Sequence, residues 1–446
     1  MARVLTPKDG YQLMTAIARQ ATGQTNISVV DTSGFVSTGE TILATGMENV
    51  FNALGMVMGR MFVAVRPYQN RLNILNAIGT DGYTSRMRKI SFYSQNPDPS
   101  GYFNTDLFTN LKAGFNNGQN NDANGNPQSV KSQWEQKPAM PFEMRFGGST
   151  VWDFGLTVYE KQIRAAFRDP MELAQFVAGF MTEHGNDIET QKESFTRMTL
   201  LSRMAMAYYY SANSIAETAV NLTEAYNTYY GTAYTSAQLR TTYLKEFLGF
   251  LVAYIRRLSD NMTERSARYH VPMTKTVDSV TYSILRHTPY DRQRILLYSD
   301  LYRMAEATVL PEIFRPEYLD INRQFEGVSY WQSNYSDAVR PQISINAAYY
   351  DAADGTQKAT GNIAIPYVVG CVYDVDSLMV DFQMDESLTT PVEARKGYRN
   401  IWLHISKNAI VDPTENFVLL YMQDSTQDGG DDSGDDSGDD SGQGSN

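Results

Sequence analysis
Cysteine occurs once in this chain, at Cys371, and histidine four times, at His184, His270, His287 and His404. A single thiol excludes an internal disulfide framework and any multi-cysteine metal site, and suits folding in a reducing cytoplasm. Four scattered histidines offer no pair spaced four apart on a helix, which removes the zinc-protease pattern. No Gly-x-Ser-x-Gly elbow, phosphate-binding Gly-x-x-x-x-Gly-Lys loop or strand-linked Gly-x-Gly-x-x-Gly occurs. Long apolar runs are missing too. The most apolar window, residues 42–65, contains Glu48, Asn49, Asn52 and Arg60, so it reads as amphipathic and not as a bilayer span. Thr6-Pro7-Lys8-Asp9 interrupts any apolar core of a secretion signal.

Charge is sparse and unevenly placed. Charged residues make up 20% of the 446, and the formal net charge is -12. Residues 423–446 hold eight Asp and neither Lys nor Arg, so without them the charge falls to -4. A body that weakly acidic lacks the clustered cations of an electrostatic grip on nucleic acid. The repeated Asp-Asp-Ser-Gly of residues 430–442 can bury nothing and is expected to form a disordered, solvated tail at 423–446. What the chain has in abundance is tyrosine, 29 in all, with Tyr208-Tyr209-Tyr210 and Tyr229-Tyr230 as runs. Tyrosine and methionine beside few charges suit wide protein–protein contacts.

The chain is organised around residues 169–209. Asp169 at the cap, Pro170 at the first position and Glu172 three residues on mark a helix start. Leu173, Phe176, Val177, Phe180, Met181, Ile188, Phe195, Met198 and Ala205 recur at steps of three, four and seven, giving one apolar face on a very long helix. Upstream, Thr6–Ala21 reads as a short capped helix with Tyr11, Met14, Ile17 and Ala18 on one face. A polar, β-leaning arm to Gly39 and helical spacing over Glu40–Met61 follow. Residues 66–148 lack helical pattern; Asn96-Pro97-Asp98-Pro99 and residues 118–127 break the chain, and Lys89–Tyr93 and Pro141–Phe146 read as strands of an extended two-stranded arm.

A second helix is expected from Thr235 or Ser236 to Asp260. Strands are expected over Thr276–Leu285, Arg294–Tyr298 and Phe325–Trp331, with a helix from Ser299 to Leu310. Residues 340–361 read as surface loop. Ile365–Tyr373, and the alternation of Leu378, Val380, Phe382 and Met384, mark buried sheet, with further strands at Ile401–Ile405 and Phe417–Met422. The fold class is α+β.

Few residues could carry chemistry. Asn120–Gly125 matches half a calcium loop, but Lys131 stands where the bidentate Glu belongs, leaving an Asn/Gly turn. Asp374 and Asp376 would share a face on a strand, a pairing open to carbohydrate hydrolysis but more typical of turns. Cys371 inside an apolar strand reads as inert packing. Met47, Met56, Met58 and Met61 keep two readings, gap-filling core and adaptable contact with another subunit.

This order of arm, extended loop, long helix and sheet resembles the major capsid proteins of tailed phages with the Hong Kong 97 fold, particularly short-tailed ones. The likeness rests on Pro141–Phe167 descending into the long helix. It rests also on His287-Thr288-Pro289-Tyr290-Asp291-Arg292-Gln293-Arg294 before Ser299-Asp300-Leu301, and on Tyr373–Leu378 with Gly397-Tyr398-Arg399-Asn400. It implies an N-terminal arm over 1–65, an extended loop over 66–148 lying on a neighbour, and a peripheral domain over 149–275 around the spine helix. A central (axial) domain with mixed sheet over 276–385, returning strands over 386–422 and the acidic tail complete the division. It further implies a self-assembling icosahedral shell of pentamers and hexamers around double-stranded DNA held non-specifically, assembled in the host cytoplasm, with no membrane, enzyme activity, cofactor or metal. A separate scaffolding protein and a portal protein are implied partners, decoration or head-fibre proteins further ones. Met47, Met56, Met58, Met61, Phe103, Phe108, Phe115 and Trp134 are the expected inter-subunit contacts. Another virion or surface-layer assembly protein is the alternative, with the hydrolase behind it.

Overall fold
The computed structural model describes residues 7–44, 86–94, 139–147, 150–166, 169–277, 280–308, 325–352, 355–393 and 395–424. The long helix is its axis. It runs Pro170–Ala212, 43 residues or about 65 Å at the ordinary rise, and the Asp169 carboxylate accepts the Met171 amide at its start. Among the described residues it is the fourth helix, α4, after α1 (Pro7–Thr22), α2 (Thr32–Ala44) and α3 (Glu160–Ala166).

The N-terminal helices pack on the subunit's own body. Met14, Ile17 and Ala18 of α1 and Phe35 and Ile42 of α2 bury against Leu173 and Val177 of α4. Helix α2 corrects the expected β-leaning arm: Asp31 accepts the Gly34 amide, a cap that the polar composition had hidden.

Strands β1 (Arg86–Phe92) and β2 (Pro141–Gly147) pair antiparallel with Ile90 opposite Glu143, the root of the expected two-stranded arm. Strand β3 (Thr150–Tyr159) joins β12 (Leu378–Thr389) and β13 (Tyr398–Val411) in a three-stranded sheet, order β12-β13-β3. Its inner face presents Ile401, Leu403 and Ile405 to α1 and α4.

A second sheet, ordered β4-β14-β11-β7-β8, holds the main core. Its strands are β4 (Ala219–Asn221), β7 (Gln293–Tyr298), β8 (Phe325–Val328), β11 (Tyr367–Asp374) and β14 (Phe417–Met422). The outer pairs are parallel and the inner two antiparallel, with buried Cys371 in register with Leu419 and Leu296. On it pack the last third of α4, α5 (Leu222–Tyr230), α6 (Ser236–Arg240) and α7 (Leu244–Thr263), while α8 (Ser299–Thr308) follows β7. The single second helix expected is thus two, broken at 241–243, where Tyr243 stacks on Tyr234 at 4.0 Å. These helices share a core with the five-stranded sheet and with Leu200, Leu201, Met204, Ala205 and Ala207 of the spine.

Residues 340–361, expected as loop, contain β9 (Ile343–Tyr350) paired with β10 (Gln357–Ile365); β5 (Thr274–Val277) and β6 (Val280–Ser283) form another hairpin. The Asp and Gly read as loop punctuation mark a hairpin turn, where Gly355 takes φ 70°. Trp331 is fully buried and donates its indole N–H to the Val368 carbonyl at 2.9 Å, pinning the β8–β9 connection.

Candidate functional site
The root of the two-stranded arm is held by a buried polar junction centred on the turn 412–416. Lys89 of β1 reaches both Asp412 and Glu415. Arg286 lies 3.2 Å from Glu415, donates to the Thr414 carbonyl at 3.1 Å and binds Ser91 of β1 at 2.7 Å. From beneath, fully buried Arg203 of α4 donates to Ser377 Oγ and to the Glu415 carbonyl, its guanidinium 4.5 Å from the Phe417 ring. Spine, arm and closing strands therefore meet at one turn.

Burial and pairing compete at each group. Burial raises the Glu415 pKa, with Lys89 and Arg286 opposing it. Burial also works against the Lys89 cation, yet Asp412 and Glu415 outweigh it and raise its pKa. Arg203 is lowered to about 10 by burial, because a guanidinium in the core keeps no water.

The junction continues through neutral groups. The His270 ring contacts Asn416 Oδ1 at 3.2 Å and the Ile284 carbonyl at 2.9 Å; burial lowers its pKa. Asn416 donates to Thr288 Oγ1, which donates to Asp374. Asp374 also accepts the Asp376 amide, capping a short 3₁₀ turn, and Arg292 pairs with Asp376. The two carboxylates thus do turn and pairing work.

A second feature is the outer face of β12-β13-β3. Leu388, Trp402 and Gly155 lie side by side across its strands, and Leu388, Val151 and Tyr159 are each about half exposed. A Cβ on Gly155 would meet the Trp402 ring at 2.7 Å, so the glycine is the bed on which the indole lies. Tyr159 and Tyr398 pair at 5.9 Å along the same face.

The expected contact residues Met47, Met56, Met58, Met61, Phe103, Phe108, Phe115 and Trp134 lie outside the described residues, as does the Asn120–Lys131 turn. Cys371 is buried, and burial pushes its thiol pKa far up, which makes it a poor nucleophile. His404 contacts Asp153 on the outer sheet face and His184 packs against Phe154, so the histidines do not converge. Among the described residues no group of three metal-ligating side chains gathers, and no helix is long and apolar enough to cross a membrane. Sequence reading missed Lys89, Arg203, Arg286, Asp412 and Glu415. Only Arg203 left a signal, a cation three residues after Leu200 and four before Ala207 on the apolar face.

One family model, described as Phi29-like phage major capsid protein, matches residues 143–421. No curated protein sequence matches the chain. Among solved structures, the Staphylococcus phage Andhra capsid is similar at 12% identity, covering 80% of this chain and 84% of that one, TM-score 0.48. A chain in the structure of head fiber and inner core protein gp22 of native bacteriophage P68 is similar at 13%, covering 80% and 85%, TM-score 0.49. The cyanophage P-SCSP1u capsid is similar at 10%, covering 81% and 91%, TM-score 0.40.

Proposed function
This chain belongs to the Phi29-like phage major capsid proteins, structural and non-enzymatic subunits that associate with their own copies in the virion, and on that footing we propose how it builds its shell. The subunits form pentamers and hexamers of a closed icosahedral shell with the Hong Kong 97-type fold around a double-stranded DNA genome. The extended loop, residues 66–148, lies on the outer sheet face of the next copy. The observation that carries this is the partly exposed apolar row of Leu388, Trp402 and Gly155 on the sheet's outer face, in a subunit whose arm root is clamped at Lys89. A body with few clustered cations suits non-specific enclosure of DNA, because it holds no phosphates tightly.

Residues 1–65 form the N-terminal arm, of which 7–44 dock on their own spine and later residues extend to neighbours. The peripheral domain spans 149–275 around the spine, the axial domain 276–385, and returning strands 386–422 close both, with α5–α7 sharing a core with the five-stranded sheet. Met47, Met56, Met58, Met61, Phe103, Phe108, Phe115 and Trp134 supply apolar contacts between copies. A separate scaffolding protein directs assembly in the host cytoplasm, a portal protein occupies one vertex, and head-fibre or decoration proteins attach outside. The acidic tail, 423–446, projects outward.

Negative-stain imaging of the full chain expressed with and without its genomic neighbours tests the reading. Closed shells that require a scaffolding neighbour are the expected result. Sheets or fibres under every condition would refute it.

A further inference from the structure
Two tyrosine pairs in this fold lie face to face. Tyr209, near the end of α4, stacks on Tyr349 of β9 with ring centroids 4.2 Å apart and planes 27° apart. Tyr234 stacks in the same way on Tyr243, at 4.0 Å and 17°. In each stack the partner's hydroxyl is the first cause that raises the phenol pKa, so the two hydroxyls lie at the same end. Other close tyrosines are arranged differently. Tyr230 stands at 81° to Tyr229 and at 44° to Tyr226, although the centroids are only 4.9 and 4.7 Å away.

The Tyr209–Tyr349 stack is held by its neighbours in the chain. Buried Tyr210 donates its hydroxyl to the Tyr350 carbonyl and accepts the Tyr350 amide, both at 2.8 Å. That fixes β9 against the spine one residue from the stacked rings. Both stacked rings are partly exposed, so a small oxidant reaches them without unfolding. A phenoxyl radical shares its unpaired electron with the ring carbons ortho to the oxygen. With the hydroxyls at one end of the stack, those carbons of one ring lie beside those of the other, an arrangement already close to the one that reacts.

We propose that Tyr209 and Tyr349 are an oxidative cross-linking site, with Tyr234 and Tyr243 its shorter-range counterpart, each closing to a dityrosine under hydrogen peroxide activated by a haem peroxidase. Each phenol gives up one electron and its hydroxyl proton. The two radicals then pair their electrons in one bond between ortho carbons, and the hydrogens on those carbons pass as protons to the oxygens, restoring both phenols. Two electrons and two protons leave in all, and they reduce one hydrogen peroxide to two waters. The Tyr209–Tyr349 bond joins segments 140 positions apart, α4 and the β9–β10 hairpin. A link over that length restricts the unfolded chain as a long-loop disulfide does.

The test treats an equal mixture of ordinary and isotope-labelled full chain with a haem peroxidase and hydrogen peroxide. Dityrosine is followed by its fluorescence and located by mass spectrometry of proteolytic peptides. Links at Tyr209–Tyr349 and Tyr234–Tyr243 should form within single copies. Each should exceed by roughly tenfold any link made by Tyr229 or Tyr230, because orientation governs the coupling. Those two rings are the more exposed, at 67% and 51%, so exposure alone favours the opposite result. The Tm of the linked chain should rise. Tyr349→Phe keeps a ring in the stack but forms no phenoxyl radical, so it should abolish the Tyr209 link and leave the Tyr234–Tyr243 link in place. Equal yields at Tyr229 or Tyr230 would mean that exposure and not stacking selects the site, and would overturn the proposal. So would the absence of the Tyr209–Tyr349 peptide, or its formation chiefly between differently labelled copies.

Discussion
Gly10 of α1 crosses the start of the spine against Pro170 so closely that a Cβ there would lie 2.0 Å from the Pro170 carbonyl oxygen. That carbonyl is backbone at a helix N-terminus and cannot turn aside. Gly10→Ala is therefore expected to prise α1 off the spine, costing about 1–3 kcal/mol as overpacking does. Thermal unfolding of the subunit would show it as a lowered Tm, and an unchanged Tm would place α1 elsewhere in solution.

Removing the lysine at the arm root takes a cation from two carboxylates. Lys89→Met leaves Glu415 paired with Arg286 and leaves Asp412 with the amide and hydroxyl of Thr414, and should destabilise by about 2–3 kcal/mol, below the full buried-pair cost because Lys89 is partly exposed. Hydrogen exchange should quicken in β1 and β2 before it does in the spine. Adding Glu415→Gln should restore part of the loss, and no recovery would mean that Lys89 acts without Glu415.

Trp402 offers a clean separation of folding from assembly. It lies on the outer sheet face, 38% exposed, so Trp402→Ser should leave monomer stability within about 1 kcal/mol. Shell yield should fall sharply, because the face proposed to receive the neighbour's loop loses its largest ring. Particle counts by light scattering beside subunit melting curves would decide it; normal yields would remove this face from the contact.

One carboxylate should make stability depend on pH. Burial raises Glu326 to about 6, above the 4.5 of an unperturbed Glu. The folded state thus favours its neutral form: the contribution is full below 4.5 and is lost as pH rises through 6. Screened by solvent, the loss should be about 1 kcal/mol. Denaturant midpoints at pH 4.5 and 7 should differ less in Glu326→Gln than in the parent chain.

The capped spine, the arm strands and the apolar run of β11 were legible in the sequence because each rests on local periodicity. The four- and eleven-step spacing of Leu173, Val177 and Ile188 needs no partner to be recognised, and neither does the near-continuous apolar run Ile365–Tyr373. Helix α2 and the β9–β10 hairpin were missed where short polar residues did capping and turning inside an element. The same residues mark loops elsewhere, and local composition cannot separate the two uses.

What the sequence settled by itself was therefore the kind of elements and their order, and with them the α+β class and the resemblance to a shell protein. Only the tertiary structure decided that Lys89, Arg203, Arg286, Asp412 and Glu415 converge on one turn, and that α1 and α2 bind their own spine. Those residues come from segments up to 326 positions apart. A charge pairs with whatever the fold brings within reach, and no local pattern records that choice.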